Sequence, residues 1–551
     1  MNAPRRILEI RDLSVARGGK AALDSFSLAL DAGETVLLLG EADSGKDELL
    51  EVLCRAGESG YAAGGTIAFG DGTAMPAGRR TVPPLRIAYL GNPFLAPLNP
   101  YASTVSQLAR IVAQKQVAPA STGREELRAA LDRFAAAPSL ASLARKPREL
   151  RAAQLAWALL ACALAQRPDL LIADQSFAGL DPTASQALAE ALAEEQKHEG
   201  FALIYAAQGL LTAARLRGRT IVMRRGKIVE EGDFEKLAAG QCHAYTRTLF
   251  QALPCLSPPS ARGAARAEPV LQVQGLVVRS RNRRDARDGI TFELRRSASL
   301  ALVGEEGSGR HALVQAMIGL SPLRSGRVAL DQVDISLLSP GMASRLRRRI
   351  AFIAGAEEAL DPRMTLWDVV DEPLRAHLRL PRAVVAGHRE NALKRVGLFS
   401  HEGRTRVGAL CAFDKRRLQV ARAIVSAPIL VIIDEPLRGL DAMAQTIMLE
   451  LLVDLRKQEG PAFLIVTADF RVARALADDV MVLKDRKLVE RGSAAQILRA
   501  PKDAETRRLL SAAGPGWLYL PSFRAPQPDA AAVPGAPAET TFLPFQAGKM
   551  L

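Results

Sequence analysis

Two short glycine-rich segments of this 551-residue chain carry the residue types that bind phosphate. Each follows an apolar run and opens a helical pattern. In such a loop the glycines let backbone N–H groups point at phosphate oxygens. The helix N-terminus adds a positive dipole, and a basic side chain reaches the β- and γ-phosphates. The predicted nucleotide-binding residues are Gly40, Glu41, Ala42, Asp43, Ser44, Gly45, Lys46 and Asp47 in the first segment and Gly304, Glu305, Glu306, Gly307, Ser308, Gly309, Arg310 and His311 in the second.

Neither segment has the complete G-x-x-x-x-G-K-[ST] pattern. The first keeps Lys46 but has Asp47 where a hydroxyl would bind Mg²⁺. A carboxylate is also a ligand for Mg²⁺, but it places a negative charge beside a triphosphate. The second has Arg310 and His311 at these positions, and a planar guanidinium is not equivalent to an ammonium in a tight loop.

The composition is that of a folded chain, because 48% of its residues are hydrophobic and 24% are charged. The start lacks the apolar stretch of a secretory signal, and the longest apolar run, Leu155 to Ala165, is shorter than the roughly 20 residues that cross a bilayer. Any membrane role is therefore expected to be peripheral. The five cysteines form no C-x-x-C pair, which argues against a zinc site or a disulfide framework. The net charge of +14 is compatible with nucleic acid, anionic lipid or simply an arginine-rich proteome.

The chain repeats itself once. In each half a glycine-rich turn comes first, an apolar strand ending in Asp follows, and a strand and turn close the unit. Apolar strand-like runs alternate with helical stretches, which predicts an α/β fold with a mainly parallel sheet flanked by helices. The predicted organisation is a first domain at residues 1–256, a linker at 257–268, a second domain at 269–514 and a disordered Pro/Ala-rich tail at 515–551.

Further motifs carry a resemblance to a known family. The sequence Gly-Leu-Asp follows the acidic strand at residues 179–181 and again at 439–441. Residues 98–100 and 360–365 resemble the S-L-N-P-R-M-T stretch, and residues 243–247 resemble an H-P-Y-T-R segment. Together these features resemble the ATPase domains of ABC transporters, in particular the subunits of bacterial oligopeptide, dipeptide and nickel importers.

The resemblance covers roughly residues 5 to 514 and implies two P-loop NTPase (ABC cassette) domains in tandem, each with a β subdomain and a helical subdomain. It implies an intramolecular head-to-tail cassette pair that binds ATP and Mg²⁺ between the loop of one half and the L-S-G-G-Q signature of the other. The implied partners are integral membrane permease subunits and, indirectly, a solute-binding protein. The implied location is cytoplasmic, peripheral on the inner face of the plasma membrane.

The departures from the family pattern fall on its chemistry. The signatures read L-R-A-A-Q at residues 150–154 and L-C-A-F-D at 410–414, so that side chains obstruct the close approach that glycines allow. By resemblance Asp174 and Asp434, with Asp47, would hold Mg²⁺. Glu435 stands at the position of the general base, whereas the matching Gln175 is an amide that cannot accept a proton.

The switch histidine and the Q-loop glutamine are also replaced in both halves. Gln208 and Ala468 occupy the switch position, and Asn92 and Ala354 occupy the Q-loop position. One composite site therefore has the lysine without a base, and the other has a base without an intact loop or switch group. Because each loss lowers the rate by orders of magnitude, we expect ATP hydrolysis to be weak or lost, with ATP and Mg²⁺ bound weakly or not at all.

Three functions remain for a chain with these features. The first is the ATP-binding subunit of a peptide-type importer that couples nucleotide-dependent closure to permeases. The second is a non-catalytic pseudo-ATPase that acts as a scaffold or regulator of a transporter complex. The third is a tandem cassette acting on ribosomes, which the lost signatures and short linker disfavour, so nucleic acid is not an expected partner.

Asp47→Ser tests whether charge weakens the first loop. We expect it to tighten the binding of Mg²⁺-nucleotide, because it removes a carboxylate beside the phosphates and restores the usual hydroxyl ligand. Calorimetric titration with and without Mg²⁺ measures the change. An unchanged affinity would reject the electrostatic explanation.

Overall fold

The structure is a computed structural model, and two halves with the same plan make up its described part. The described residues are 5–17, 20–54, 62–70, 75–76, 85–91, 98–116, 119–207, 209–240, 242–251, 268–278, 289–335, 338, 340–355, 360–377, 380–398, 403–457 and 460–513. The predicted linker, except for its last residue, and the predicted tail lie outside the described residues, as do Asn92 and Gln208.

In its described residues the first half combines ten strands with eight α-helices. The strands are β1 (Arg6–Arg17), β2 (Lys20–Asp31), β3 (Thr35–Leu39), β4 (Ala62–Phe69), β5 (Met75–Pro76), β6 (Ile87–Leu90), β7 (Leu170–Asp174), β8 (Ala202–Ala206), β9 (Arg219–Arg224) and β10 (Lys227–Asp233). The helices are α1 (Lys46–Cys54), α2 (Thr104–Gln116), α3 (Ala120–Asp132), α4 (Ala152–Ala165), α5 (Pro182–Glu199), α6 (Leu210–Leu216), α7 (Phe234–Ala238) and α8 (Ala244–Gln251).

The second half has ten strands and nine α-helices in its described residues. The strands are β11 (Pro269–Val278), β12 (Ile290–Arg295), β13 (Ser299–Val303), β14 (Leu323–Leu330), β15 (Val333–Asp334), β16 (Ile350–Ile353), β17 (Leu430–Asp434), β18 (Ala462–Thr467), β19 (Asp479–Lys484) and β20 (Lys487–Ser493). The helices are α9 (Arg310–Met317), α10 (Pro340–Arg347), α11 (Leu366–His377), α12 (Arg382–Arg395), α13 (Ala412–Ile424), α14 (Ala442–Lys457), α15 (Phe470–Leu476), α16 (Ala494–Arg499) and α17 (Ala504–Ala512).

The described strands of each half form one antiparallel and one mainly parallel sheet. The antiparallel sheets have the orders β2-β1-β4-β5 and β12-β11-β14-β15. The larger sheets have the orders β10-β9-β3-β8-β7-β6 and β20-β19-β13-β18-β17-β16, and in each only the strand at one edge, β10 or β20, is antiparallel to its neighbour. Every strand of the first half thus has a counterpart ten strands later, which confirms the predicted tandem α/β fold.

The central strand of each larger sheet is buried on both faces. Along β3, Val36 and Leu38 pack into the core shared with the antiparallel sheet, whereas Leu37 and Leu39 pack into the core shared with the helices. Successive side chains of a strand point to opposite faces, so an uninterrupted apolar run is what a doubly covered strand requires. The strand β13 follows the same alternation. The carboxyl ends of these parallel strands lie at one edge, where the loops before α1 and α9 begin.

The two halves contact each other directly. Arg438 Nε donates a hydrogen bond of 2.6 Å to the carbonyl oxygen of Gly179. Arg215 donates to the carbonyl oxygens of Ser511 (3.5 Å) and Ala512 (3.2 Å). A cavity of about 390 Å³ lies between the halves and is lined by residues of both. The predicted intramolecular pair therefore exists as a contact between the described parts of the halves.

Among the described residues, no helix combines the length and the hydropathy that a bilayer span needs. The long apolar run of α4 is instead a core helix, because its residues from Leu155 to Ala158 are all buried. This placement explains a helix that is hydrophobic on nearly every face.

Leu452→Ala tests the core packing of α14. Leu452 is fully buried, and its truncation is expected to cost about 2–5 kcal/mol and to lower Tm by at least about 4 °C. Ile447→Ala on the same helix is the matched control, since Ile447 is 44% exposed and its truncation should change stability by about 0.5 kcal/mol or less. Scanning calorimetry measures both, and equal effects would contradict the observed burial.

Candidate functional site

The first phosphate loop encloses its own lysine. Lys46 begins α1 and is only 5% exposed. Its Nζ donates to the carbonyl oxygens of Gly40 (2.7 Å) and Glu41 (2.8 Å) and to Ser44 Oγ (2.9 Å). Burial lowers the pKa of Lys46, and nearby acids, Asp47 first among them, oppose this shift. The lysine thus lies in the position from which it reaches a bound phosphate chain.

Tight backbone packing forms this loop. Gly40 has φ +155°, and a Cβ there would lie 2.4 Å from the carbonyl oxygen of Met223. Gly45 has φ +99°, and a Cβ there would lie 2.7 Å from the carbonyl oxygen of Ala22. Both glycines are therefore required by space as well as by conformation.

A polar network joins the first loop to the end of β7. Gln175 Nε2 donates to Asp47 Oδ1 at 3.3 Å, and the hydroxyl of Tyr89 donates to Asp174 Oδ2 at 2.9 Å. Burial raises the pKa of Asp174, with Asp47 adding to the shift and Tyr89 and Lys46 opposing it. Asp174 Oδ1 is buried and accepts no hydrogen bond from any described residue. Because Mg²⁺ prefers carboxylate oxygens, this oxygen and the Asp47 carboxylate fit the ion.

In the second loop the basic side chain points away from the loop and towards the end of β17. Arg310 is 3% exposed, and its Nη1 lies 3.0 Å from Glu435 Oε1 in an ion pair. Glu435 also accepts from Ala468 N (2.9 Å) and from Thr467 Oγ1 (3.1 Å). Burial raises the pKa of Glu435, and the charge of Arg310 opposes that shift. The only acid at a general-base position is therefore engaged by three donors.

The neighbouring acid of the second site has a similar partner. His311 Nε2 lies 2.9 Å from Asp434 Oδ2. Both substituted positions of this loop, 310 and 311, thus pair with the two acids at the end of the strand. Asp434 Oδ1 is buried without a hydrogen bond from a described residue, but its other oxygen is taken by the imidazole. Because the imidazole of His311 stands where the first loop has the carboxylate of Asp47, the second site offers Mg²⁺ fewer carboxylate oxygens than the first and fits the ion less well.

Each loop is also contacted by the other half. Asp441 caps α14 by accepting from Ala444 N at 2.8 Å through Oδ1, and through Oδ2 it accepts from Ala42 N in the first loop at 3.3 Å. The guanidinium of Arg151, in the first signature, lies against Gly307 in the second loop. These two contacts agree with the predicted head-to-tail arrangement.

The segments after each cassette support the loops in different ways, which the sequence did not indicate. In the first half Tyr245 is buried, and its hydroxyl accepts from Glu41 N at 3.4 Å. In the second half Arg508 pairs with the loop residue Glu305 at 2.7 Å and with Glu505 at 2.5 Å. Within the family-like segment at 243–247 only Tyr245 and Thr246 are buried, and the residue that Tyr245 contacts could not be predicted from spacing.

Most predicted site residues meet at the carboxyl edges of the sheets. Residues 40–47 with Asp174 and Gln175 form one group, and residues 304–311 with Asp434, Glu435 and Ala468 form the other. Tyr89 was missed. The only signal for Tyr89 in the sequence is an aromatic residue at the third position of the short strand β6, where its side chain is 51% exposed. Phe352 stands at the equivalent position of β16.

Fold and site together define a tandem pair of P-loop cassettes. The sequence profile of the ABC transporter family matches residues 23–178 and 287–438. The chain belongs to the ABC transporter family.

Two relatives match nearly the whole chain. It is 31% identical over 541 residues to the peptidoglycan transport ATP-binding protein YejF of Agrobacterium fabrum, covering 92% of this chain and 96% of that protein. It is 28% identical over 558 residues to the glutathione import ATP-binding protein GsiA of Escherichia coli K12, covering 92% and 89%. The resemblance to peptide-type importer ATP-binding proteins is thereby confirmed. A solved structure, cbiO1 from Clostridium perfringens, part of the cbiONQ ABC transporter complex, aligns with 26% identity over 42% of this chain and 92% of its own, with a TM-score of 0.39.

The pair formed by Arg310 and Glu435 is open to a double-mutant test. Arg310→Met or Glu435→Gln alone is expected to destabilise the protein by about 3–5 kcal/mol, because each leaves a buried group without its partner. The double variant Arg310→Met, Glu435→Gln should cost much less than the sum of the two single changes. Urea unfolding measures the three variants, with Arg363→Met as a control because that side chain is 91% exposed. Additive effects of the two single changes would contradict the pairing.

Proposed function

We propose that the chain is the ATP-binding cassette subunit of a peptide-type importer, in which nucleotide binding rather than rapid hydrolysis drives closure of the cassette pair. The observation that carries this proposal is the asymmetry of the two loops. Lys46 lies within the first loop, whereas Arg310 leaves the second loop for Glu435. The first site is therefore the one suited to bind ATP together with Mg²⁺.

In the first site this chain supplies binding groups without a base. Lys46 and the loop N–H groups would hold the phosphates, and Asp47 and Asp174 would hold Mg²⁺, which neutralises phosphate charge when bound. Gln175 orients Asp47 through its amide but accepts no proton. Tyr89 holds the second carboxylate through its hydroxyl. These residues bind and orient the nucleotide, and hydrolysis remains weak.

In the second site the catalytic acid is engaged within the protein. Glu435 is held by Arg310, Thr467 and Ala468, so it is not free to accept a proton from water. The amino acid at the switch position, Ala468, contributes only its backbone N–H. Hydrolysis at this site is therefore lost under the proposal.

The partners follow from family membership and from the relatives' transport roles. We propose that the chain binds integral membrane permease subunits, acts indirectly with a solute-binding protein, and lies in the cytoplasm at the inner face of the plasma membrane. A peptide-like substrate class is supported by the peptidoglycan and glutathione named for the two relatives.

A second candidate function is a pseudo-ATPase scaffold or regulator. The pairs Arg310–Glu435 and His311–Asp434 favour it, because they give the second site a structural role. It differs from the first candidate in requiring no nucleotide at either loop. Purified chain that binds permease equally well with and without ATP would favour the scaffold.

Restoring the base in the first site tests the proposal. Gln175 and Glu435 share a left-handed backbone conformation, with φ 47° and 44°, so Gln175→Glu places a carboxylate where the second half already has one. Combined with Asp47→Ser, which removes the repulsive neighbour, it is expected to raise ATP hydrolysis about 10-fold. That is less than the roughly 10²–10⁴ of a general base in a complete site, because the signature remains altered.

The assay uses the full chain with its permeases, and phosphate release gives the rate. The same double variant carrying Lys46→Ala is the control and should return to background. The proposal would be contradicted if the unaltered chain already hydrolysed ATP rapidly and lost that activity with Lys46→Ala.

A further inference from the structure

The second phosphate loop faces a cation from the other half. A Cβ built on Gly307 would lie 2.7 Å from Cζ of Arg151 and 2.8 and 2.9 Å from its two Nη atoms. Gly307 has φ +91°, so glycine suits this position in conformation as well as in space. The guanidinium of Arg151 therefore packs against the backbone of Gly307. A side chain at position 307 would occupy the space that the guanidinium now fills.

Arg151 is not engaged elsewhere. Its side chain is exposed, and it forms no hydrogen bond or ion pair through its guanidinium with a described residue. Two other cations around the loop are engaged, since Arg310 pairs with Glu435 and Arg508 pairs with Glu305 and Glu505. Arg486 packs against Gly309 but belongs to the second half, so Arg151 is the cation that the first half contributes here. The positive charge of Arg151 is consequently available to an incoming anion.

Buried polar atoms of the loop are also without partners. Ser308 and Arg310 are both more than nine-tenths buried. Ser308 Oγ and Arg310 Nε nevertheless make no hydrogen bond to any described residue. In the first loop the matching hydroxyl, Ser44 Oγ, accepts from Lys46 Nζ. The diversion of Arg310 to Glu435 leaves the second loop with an unsatisfied hydroxyl, and such groups usually have a ligand or water partner.

The local charge indicates the class of ligand. The loop precedes α9, whose N-terminus has a positive dipole, and a guanidinium binds phosphate through two parallel hydrogen bonds. Of the acids at the end of β17, Glu435 is engaged by Arg310, and Asp434 has one oxygen engaged by His311, whose imidazole also replaces the carboxylate of the first loop. Glu306, which lines the cavity between the halves, is the loop acid that opposes an anion.

We propose that the second loop binds the phosphate chain of a nucleoside polyphosphate without a divalent cation, and that Arg151 supplies in trans the phosphate-binding charge that Arg310 no longer provides. This inference rests on the proposed function, which makes the second site non-hydrolytic. It adds a specific binding residue from the first half and a metal-independent mode of binding. The first half then contacts the ligand through the guanidinium of Arg151, so that the two glycines of the L-S-G-G-Q signature are not required.

A binding experiment in the absence of metal tests the role of Arg151. The full-length chain carries Lys46→Ala, which disables the first loop, and is titrated calorimetrically with ATP in EDTA. Arg151→Ala is expected to weaken binding on the order of 10-fold or more, because it removes a charge-assisted hydrogen-bond donor. Arg148→Ala is the matched control, since Arg148 is an exposed arginine three residues earlier that stacks on Tyr101 instead.

Further variants separate electrostatics from structure. Gly307→Ala should weaken ATP binding because its methyl group takes the place of the guanidinium, and Glu306→Gln should tighten it by removing a negative charge. Arg151→Lys should have an intermediate affinity, because an ammonium keeps the charge but not the planar fork. Circular dichroism and Tm identify any variant that fails to fold.

Different ligands identify the source of the phosphate. Similar affinities for ATP and tripolyphosphate would assign recognition to the phosphate chain. Inorganic phosphate should then bind much more weakly, and adenosine should not bind.

The inference is overturned if the Lys46→Ala chain binds ATP only with Mg²⁺ or not at all. Equal losses for Arg151→Ala and Arg148→Ala would also overturn it. None of these outcomes depends on the hydrolysis assay, so the proposed function stands or falls separately.

Discussion

A buried guanidinium requires a buried counter-charge, and this constraint determines the second site. Removing a charged group from water costs several kcal/mol unless it is paired and hydrogen-bonded. Arg310 is almost completely buried, so Glu435 has to remain beside it. The acid at this position, which the family uses to polarise water, here forms an ion pair with the arginine of its own loop.

The same constraint relates the residues of each loop to those at the strand end. Where the loop has Lys46, the strand is followed by Gln175, and the ammonium stays with loop carbonyl oxygens. Where the loop has Arg310, the strand is followed by Glu435, and the cation turns towards it. The loop cation and the residue after the strand thus form different arrangements in the two halves, and each half departs from the family pattern in its own way.

The sequence predicted the features that depend on local pattern. The glycine-rich turns, the apolar strands ending in Asp174 and Asp434 and the doubling of the chain follow from spacing and alternation, and the parallel sheets then bring the predicted groups to one edge. The partners of individual side chains could not be predicted in this way. Tyr89 contacts Asp174 across 85 positions, and Arg438 contacts Gly179 across 259. Such contacts depend on packing between elements and between halves, which no local spacing encodes.

Contacts between the halves limit how nucleotide can act on the pair. Arg438 joins Gly179, and Arg215 joins the end of α17, through groups that no phosphate would touch. A ligand shifts a conformational equilibrium only by its differential affinity for the two states. In the first loop such a difference would arise if a bound phosphate accepted a hydrogen bond from Ala42 N, because Asp441 of the other half accepts from this N–H group in the structure. Nucleotide at the first loop would then replace this contact between the halves with a contact to the ligand, whereas the contacts at Gly179 and α17 involve no loop group.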